Sequence, residues 1–180
     1  MRRRRKPRLF SFPREVELAW FDEATISGSD RLALEAVVDA FIAIASSKKL
    51  EPNALDALAK GAAWPQEQVR GMAITRLAVL CHYFADAIQK MEQLIDHPDP
   101  AVRIFLCAAL ANTPEGVAVP LLARLLKDDE WGVRKAAAKA CSAIPWESSV
   151  EMLRRRVETE PDARVRVVVQ LALDFQLKAA

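Results

Sequence analysis

Apolar residues recur along this chain at helical spacing, in segments that short polar turns separate. Val-Arg occurs four times, as Val69-Arg70, Val102-Arg103, Val133-Arg134 and Val165-Arg166. After each arginine, apolar side chains follow at the third and seventh positions, and with the preceding Val they form an i, i+4, i+8 stripe on one helix face. Because the arginines are 33, 31 and 32 residues apart, the chain contains an internal repeat of about this length.

Shorter amphipathic segments precede these helices and predict a helix–turn–helix unit. Turns rich in Asp, Pro and Gly separate the two helices of each unit, at residues 64–67, 97–100, 128–132 and 160–163. An earlier copy of the pattern surrounds Arg31, and no segment shows the alternation typical of a strand. Since one such unit cannot bury its apolar stripe alone, stacked copies must share a continuous core. The pattern therefore predicts an all-α protein with the architecture of an α-solenoid.

Two stretches resemble the HEAT-repeat family: VPLLARLLKDDEWGVRKAAAKACSAI (119–144) and HPDPAVRIFLCAALANT (97–113). The family's unit has a leucine-rich first helix, a turn with Asp and often Pro, and Val-Arg opening a second helix rich in Ala and Leu. The resemblance covers about residues 30–178 and implies a right-handed α-solenoid of stacked HEAT-like repeats.

The resemblance also implies a function, since family members mostly act as scaffolds and adaptors that bind proteins on a concave face lined by second helices. Two enzymatic branches, the phycobilin lyases and the alkylpurine DNA glycosylases, use similar repeats. This chain has two histidines and one tyrosine, and it lacks a nucleophile with its base, a glycine-rich phosphate loop and a metal-ligand motif. We therefore predict a noncatalytic binding module, and we expect no catalytic, cofactor or metal residues.

The repeat pattern divides the chain into three predicted regions. Residues 1–10 are predicted to be a basic, disordered tail, and residues 11–29 an N-terminal capping helix region. Residues 30–180 are predicted to be a HEAT-like repeat domain of about four to five helical pairs.

The net charge of +2 hides an asymmetry between the first eight residues and the rest. Six basic residues and no acid lie in residues 1–8, which leaves 20 basic against 24 acidic residues in 9–180. The basic side chains are Arg2, Arg3, Arg4, Arg5, Lys6 and Arg8. They could bind nucleic-acid phosphates, contact an anionic membrane or act as a nuclear-import-like signal, or they could be a solvated terminus without a ligand. Binding of nucleic acid by this tail is the alternative function, and it should be weak and non-specific.

The cysteines and the apolar segments bear on the cellular compartment. Cys81, Cys107 and Cys141 lie on apolar helical patterns outside any C-x-x-C pair, which is typical of reduced core residues. No segment approaches the ~20 apolar residues that cross a bilayer, and polar residues interrupt the start of the chain before a secretory signal could form. The expected location is the cytoplasm.

The second helices supply the candidate partner-binding residues. Positions one and five after each repeat arginine lie away from the core stripe and should line the concave face, and Arg76 stands where other copies have Ala. The candidates are Thr75, Arg76, Ile104, Ala108, Lys135, Lys139, Val167 and Leu171. Their mixed surface predicts a groove for a protein partner, with scattered exposed aliphatic residues as the alternative. For Arg76 the alternative is an edge arginine that extends to solvent.

The last helix is apolar on nearly every side, whereas a solenoid terminus normally has a polar outer face. We therefore predict that Val168 and Phe175 form an apolar C-terminal edge that contacts a partner or a second copy of the chain. The alternative is that such side chains fill a wide contact with neighbouring helices.

The repeat arginines have a structural interpretation that the HEAT resemblance implies. In that family the arginine joins a hydrogen-bond ladder with an Asp of the turn, six positions earlier. Asp128 holds that position for Arg134, and Glu160 holds it for Arg166. For Arg70 and Arg103 the position is Trp64 and His97, so the ladder is predicted to be incomplete. A basic stripe for an acidic partner is the alternative.

Four of the twelve aromatic residues lie close together near the N-terminus, at Phe10, Phe12, Trp20 and Phe21. The simplest interpretation is that they cap the first repeat, with Pro13 near the start of a short helix. A partner-binding motif is the alternative.

Overall fold

The computed structural model describes residues 9–21, 25–144 and 147–179, and in these ranges helices are the only regular secondary structure. The ten helices of the described chain are α1 (Arg14–Leu18), α2 (Gly28–Ser47), α3 (Pro52–Ala62), α4 (Glu67–Leu80), α5 (Ala85–Leu94), α6 (Pro100–Leu110), α7 (Glu115–Leu125), α8 (Trp131–Ser142), α9 (Glu147–Thr159) and α10 (Ala163–Ala179). The short helix after Pro13 and the turns between the paired helices are confirmed.

Local capping chemistry explains where the second helices begin. The Gln66 side-chain oxygen accepts hydrogen bonds from the backbone N–H groups of Gln68 and Val69, at the start of α4. Asp99 caps α6 in the same way through the N–H of Ala101, and Pro100 occupies the first position of that helix. These contacts satisfy N–H groups that have no partner inside the helix, so the polar turns end one helix and start the next.

The chain folds into two compact units, Met1–Met91 and Glu92–Ala180. In the first unit α2, α3 and α4 pack against one another, and α1 lies on α2. In the second unit α6 packs on α8 and α8 packs on α10, while α7 and α9 pack beside these second helices. The alternation of first and second helices is that of an α-solenoid of HEAT-like repeats, which confirms the predicted fold class.

The repeated apolar stripe forms the core of each unit. In the second unit, Leu106, Leu110 and Leu122 are fully buried, and small residues such as Ala137 allow the second helices to approach closely. All three cysteines are buried, as predicted. Burial raises the pKa of Cys107 and Cys141, for Cys141 to about 12, so both thiols stay protonated and inert.

Gly61 in α3 lies at a close contact between helices of the first unit. A Cβ atom at this position would overlap Val37 Cγ2 of α2 and would lie 3.0 Å from the Ala73 Cβ of α4. Only a residue without a side chain therefore lets α3 lie this close to both of its neighbours.

The N-terminal segment is attached to α2 by aliphatic residues and ion pairs. Leu9, Leu18 and Ile26 are buried, and Arg14 contacts the carboxylates of Glu35 and Asp39 at 3.1 and 2.6 Å.

The expectation that the N-terminal aromatic residues cap the first repeat is wrong for three of the four. Trp20 is 73% exposed, Phe10 59% and Phe12 46%, and Phe21 is half-buried. Leu9, Leu18 and Ile26 provide the buried contact instead of these aromatic side chains.

The apolar C-terminal edge at Val168 and Phe175 stays a prediction, but α10 also carries a polar position that the pattern did not indicate. At the fourth position after the repeat arginine, Cys107 and Ala138 are fully buried, and the Cys107 thiol lies 3.8 Å from the Val133 carbonyl oxygen of α8. The same position in α10 is Gln170, which is exposed and donates a 2.7 Å hydrogen bond to Asp174.

The other apolar side chains of α10 differ in how far they are buried. Val168 is half-buried, and Phe175 is exposed on the helix face that also carries Val167 and Leu171. One apolar side of α10 is thus used in packing and a second forms an exposed strip, while the position that is buried in α6 and α8 carries the exposed Gln170 in α10.

Candidate protein-binding groove

The repeat arginines hold the turns that orient the second helices. In each repeat the guanidinium donates a hydrogen bond to the backbone carbonyl oxygen six positions earlier. The pairs are Arg70 with Trp64 at 3.0 Å, Arg103 with His97 at 2.6 Å, Arg134 with Asp128 at 2.8 Å, and Arg166 with Glu160 at 2.6 Å. Because the acceptor is a backbone carbonyl, the side chain at that position is unimportant for this contact. This hydrogen bond therefore also forms in the repeats of Arg70 and Arg103, where the ladder was predicted to be incomplete.

The carboxylates of the turns pair with the preceding repeat. Asp128 accepts hydrogen bonds from Nε and Nη2 of Arg103, at 2.8 and 2.9 Å. Glu160 likewise accepts from Arg134, with distances between 2.9 and 3.2 Å. The predicted side-chain pairings of Asp128 with Arg134 and of Glu160 with Arg166 are wrong. In both Arg103 and Arg134, Nη1 donates to a backbone carbonyl oxygen of the turn in the same repeat. The Nε–Nη2 edge donates to the carboxylate of the next turn.

Glu160 is the most deeply buried charge of the second unit, with 1% of its surface exposed. It also accepts hydrogen bonds from Arg156 Nε at 2.7 Å and from the Asp162 N–H at 3.1 Å. Burial alone would raise the pKa of Glu160, but the hydrogen bonds from Arg134, Asp162 and Arg156 outweigh it and lower the pKa. Glu160 thus stays ionised and links α8 and α9 to the start of α10, a structural role.

A groove of about 450 Å³ lies between α6 and α8 in the second unit. Four of the predicted binding residues line it, together with small side chains that form its floor. Its main lining residues are Ile104 and Ala108 of α6, and Lys135, Ala136, Lys139 and Ala140 of α8. The two lysines are four residues apart, so they lie on the same face of α8. The groove is therefore apolar with two cations along one wall, and no acidic residue lines it.

Trp131 is the first residue of α8 and lies at the end of the wall that carries the two lysines. Its partly exposed ring has Lys135 Nζ at 5.7 Å and the Arg164 guanidinium carbon at 4.6 Å from the ring centroid. Asp162 orients Arg164 through a 2.7 Å ion pair, and this hydrogen bond lowers the pKa of Asp162. Sequence reasoning missed Trp131 and Arg164, although a tryptophan one helical turn before Lys135 was an available signal.

An exposed apolar strip on α10 lies beside this wall. Val167 and Leu171 are 59% and 63% exposed, and they occupy the same repeat positions as Lys135 and Lys139 of the neighbouring helix α8. Phe175 continues the strip one helical turn further. We call these three residues the α10 strip.

The candidate residues of the first unit differ from those of the second. Thr75 is exposed on α4. Arg76 is half-buried, forms an ion pair with the buried carboxylate of Glu17, and lies with its guanidinium carbon 4.5 Å from the Phe41 ring centroid. The prediction that Arg76 is available to a partner is therefore wrong, because this side chain ties α1 to α4 and α2. The predicted phosphate contacts Arg2, Arg3, Arg4, Arg5, Lys6 and Arg8 lie outside the described residues.

A second groove, of about 630 Å³, was not predicted and lies between α2 and α3. Leu32 lines it and is 69% exposed, and Trp64 lies at its end with its indole N–H donating to Asp30 at 2.7 Å. The signal in the sequence was Leu32 itself, which falls outside the apolar stripe of α2. Both signs of charge line this groove, through Asp56 and Lys60.

The described ranges also bear on metal binding and on membrane insertion. There, no group of three or more His, Cys, Asp or Glu side chains is placed to hold a metal ion. None of the helices in those ranges combines the length and the apolar character that a membrane span requires.

Helix–turn–helix pairs joined by arginine contacts between successive turns define an α-solenoid repeat protein. Residues 88–174 match the family model of HEAT repeats, so this part of the chain consists of HEAT repeats. No curated protein sequence matches it significantly. HEAT repeats commonly mediate protein–protein interactions, and the family is generally noncatalytic.

Proposed function

We propose that this chain is a noncatalytic scaffold or adaptor that binds a protein partner through the α6–α8 groove and the α10 strip. The observation that carries the proposal is the groove itself, in which Ile104 and Ala108 face a wall formed by Lys135 and Lys139. The groove lies inside the segment that matches HEAT repeats. The exposed residues of the α10 strip extend its apolar surface on the adjacent second helix.

The chemistry of the groove supports a partner segment that is amphipathic and acidic. Small floor residues leave room for apolar side chains of an incoming helix, which is a common way to bind an amphipathic segment. Lys135 and Lys139 would pair with carboxylates four residues apart on that segment. The same proposal includes a cytoplasmic location, a compartment in which the three buried cysteines would stay reduced.

Reversing both charges in the variant Lys135→Glu/Lys139→Glu is expected to weaken partner binding by about ten- to a hundredfold, because attraction becomes repulsion. A photo-crosslinking amino acid at position 108 should capture the partner in cells that express the wild-type protein. The measurement is the yield of the crosslinked species, followed by the affinity of the purified pair.

The matched control places the same crosslinker at Glu151, which is exposed on α9 and away from the groove lining. We expect that the crosslinker at position 151 does not capture the protein that is captured at position 108. We also expect that the charge-reversal variant unfolds at the same temperature as the wild type. The proposal fails if positions 108 and 151 capture the same proteins, or if charge reversal leaves the capture at position 108 intact.

A further inference from the structure

A third cation continues the row of lysines on α8. Lys139 and Lys135 lie one helical turn apart, and Trp131 occupies the next turn toward the start of the helix. The Arg164 guanidinium of α10 lies over the Trp131 ring, with its carbon 4.6 Å from the ring centroid, so a positive charge is also present at this turn. We call Lys135, Lys139 and Arg164 the cation row.

The cation row is open to a partner. Within the described ranges, neither Lys135 nor Lys139 forms an ion pair with a carboxylate. Asp162 accepts hydrogen bonds from Nε and Nη2 of Arg164 at 3.1 and 2.7 Å, and the Arg164 side chain is still 70% exposed. The row therefore combines two unpaired ammonium groups with one guanidinium that is fixed in place and remains accessible.

Apolar surface lies on both sides of the cation row. On the α6 side, Ile104 and Ala108 line the groove. On the α10 side, Val167 and Leu171 are exposed at the repeat positions that the two lysines hold in α8. Because α8 packs on both α6 and α10, a segment that covers the row also covers apolar surface on each side. The complementary surface is acidic in the middle and apolar at both edges.

Building on the proposed function of the groove, we propose that the partner segment is a helix with acidic residues at three successive turns, flanked on both sides by apolar residues. Two of its carboxylates pair with Lys135 and Lys139, and the third pairs with Arg164. Side chains three or four residues apart are neighbours on a helix, so acids at positions i, i+4 and i+7 match the one-turn spacing of the row. Trp131 is a positioning residue, because its ring keeps the Arg164 guanidinium at the end of the row.

A nucleic-acid backbone fits this surface less well. Its phosphates would meet the cation row, but the exposed Val167 and Leu171 would then lie against charged and polar groups. Residues 9–180 contain 24 acidic and 20 basic residues, so the chain beyond its first eight residues has no excess of positive charge. The combination of cations and apolar surface therefore favours an amphipathic helix.

Fluorescence anisotropy of labelled peptides, measured with the full chain, tests this proposal. The probe is a helix-forming peptide of about 18 residues with Glu at i, i+4 and i+7 and Leu on both flanks. Two further peptides carry Gln in place of the first or the last Glu, since either end can face Arg164.

Arg164→Gln is expected to weaken binding of the three-glutamate peptide about three- to tenfold. It should have no further effect on one of the two substituted peptides, because that peptide already lacks the carboxylate that Arg164 binds. Trp131→Leu should reduce this coupling between Arg164 and the peptide, whereas Trp131→Phe, which keeps an aromatic ring, should retain most of it.

Arg155→Gln is the matched control. Like Arg164, Arg155 is exposed and paired with a nearby carboxylate, that of Glu151, but it lies on α9 outside the groove lining. This variant should bind all the peptides as the wild type does. Circular dichroism checks the folding of each variant. The two substituted peptides measured on the wild type keep the test decisive if an Arg164 variant does not fold.

Three results would overturn the proposal. The first is a wild type that binds the three-glutamate peptide no better than a peptide of the same composition in scrambled order, or no better than either substituted peptide. The second is an Arg164→Gln variant that weakens all the peptides equally or weakens none. The third is a single-stranded oligonucleotide that displaces the peptide and needs Lys135 and Arg164 to bind.

The crosslinking experiment at position 108 separates this proposal from the proposed function on which it rests. Capture of a partner there does not require Arg164 or a particular spacing of acidic residues. Specific capture at position 108 without coupling between Arg164 and the peptides would contradict the three-turn acidic helix and leave the scaffold function standing. Coupling without specific capture would contradict the scaffold function alone.

Discussion

Replacing Glu160 by Ala is expected to lower the free energy of unfolding by about 3–5 kcal/mol. The substitution removes the carboxylate that Arg134 and Arg156 share, and Arg134 is itself 7% exposed. Two buried or half-buried guanidinium groups would then lack their counter-charge, and this desolvation cost is large. Urea denaturation followed by circular dichroism measures the effect.

Glu158→Ala is the matched control, because Glu158 is an exposed residue of α9 only two positions before Glu160. Its effect should stay within about 0.5 kcal/mol. The double variant Glu160→Leu/Arg134→Met should lose less stability than Glu160→Ala, since it removes one of the stranded charges as well. Equal stability of Glu160→Ala and the wild type would contradict the structural role of this cluster.

The same cluster predicts how stability depends on pH. The pKa of Glu160 is lowered from its ordinary value of 4.5, so the folded protein holds the ionised form more strongly than the unfolded chain does. The resulting stabilisation is complete above the unfolded pKa and is lost as the pH falls through the folded pKa. The stability difference between the wild type and Glu160→Gln should therefore be constant near neutral pH and shrink below about pH 4.5. A difference that grows in acid would show that the sign is wrong.

Replacing Gly61 by Ala is expected to lower the free energy of unfolding by up to roughly 2 kcal/mol. Alanine favours a helix by about 1 kcal/mol over glycine, but its Cβ would overlap Val37 and crowd Ala73. Overpacking of this kind typically costs about 1–3 kcal/mol, so the steric effect outweighs the gain. Thermal and urea unfolding of the variant measure the net change.

The same substitution at Gly116 in α7 is the control. No heavy atom lies within 4 Å of the Cβ position there, so Gly116→Ala should stabilise the protein by up to about 1 kcal/mol. Opposite signs for the two variants would support the close contact at Gly61, whereas stabilisation in both would contradict it.

The turns show how far the repeat pattern predicts contacts. The Val-Arg spacing correctly indicates which arginines act in the turns, because the role repeats with the sequence. It does not indicate the acceptor, since a backbone carbonyl is present at every position whatever the residue. The partner of a turn carboxylate depends on which guanidinium edge the neighbouring repeat presents, and that follows from helix packing.

The sequence predicted only part of the candidate site, because the pattern indicates helix faces but not the contacts that depend on helix packing. Helical periodicity placed Lys135 and Lys139 on one face of α8, and the structure shows them lining a groove with Ile104. Arg76 was misassigned, because its partner Glu17 is 59 residues away and no local pattern connects them. The exposure of Phe10, Phe12 and Trp20 was equally hidden, since hydrophobic character alone does not tell which apolar residues a small unit buries.

The amino-acid sequence by itself determined that this protein consists of helical HEAT-like repeats with a basic run at one end. Those features depend on spacing, capping and charge, which are properties of neighbouring residues. Only the tertiary structure decided which carboxylate meets which arginine, and that Phe10, Phe12 and Trp20 are exposed. These outcomes depend on how helices distant in sequence compete for the same buried surface, and that competition is settled when the repeats pack.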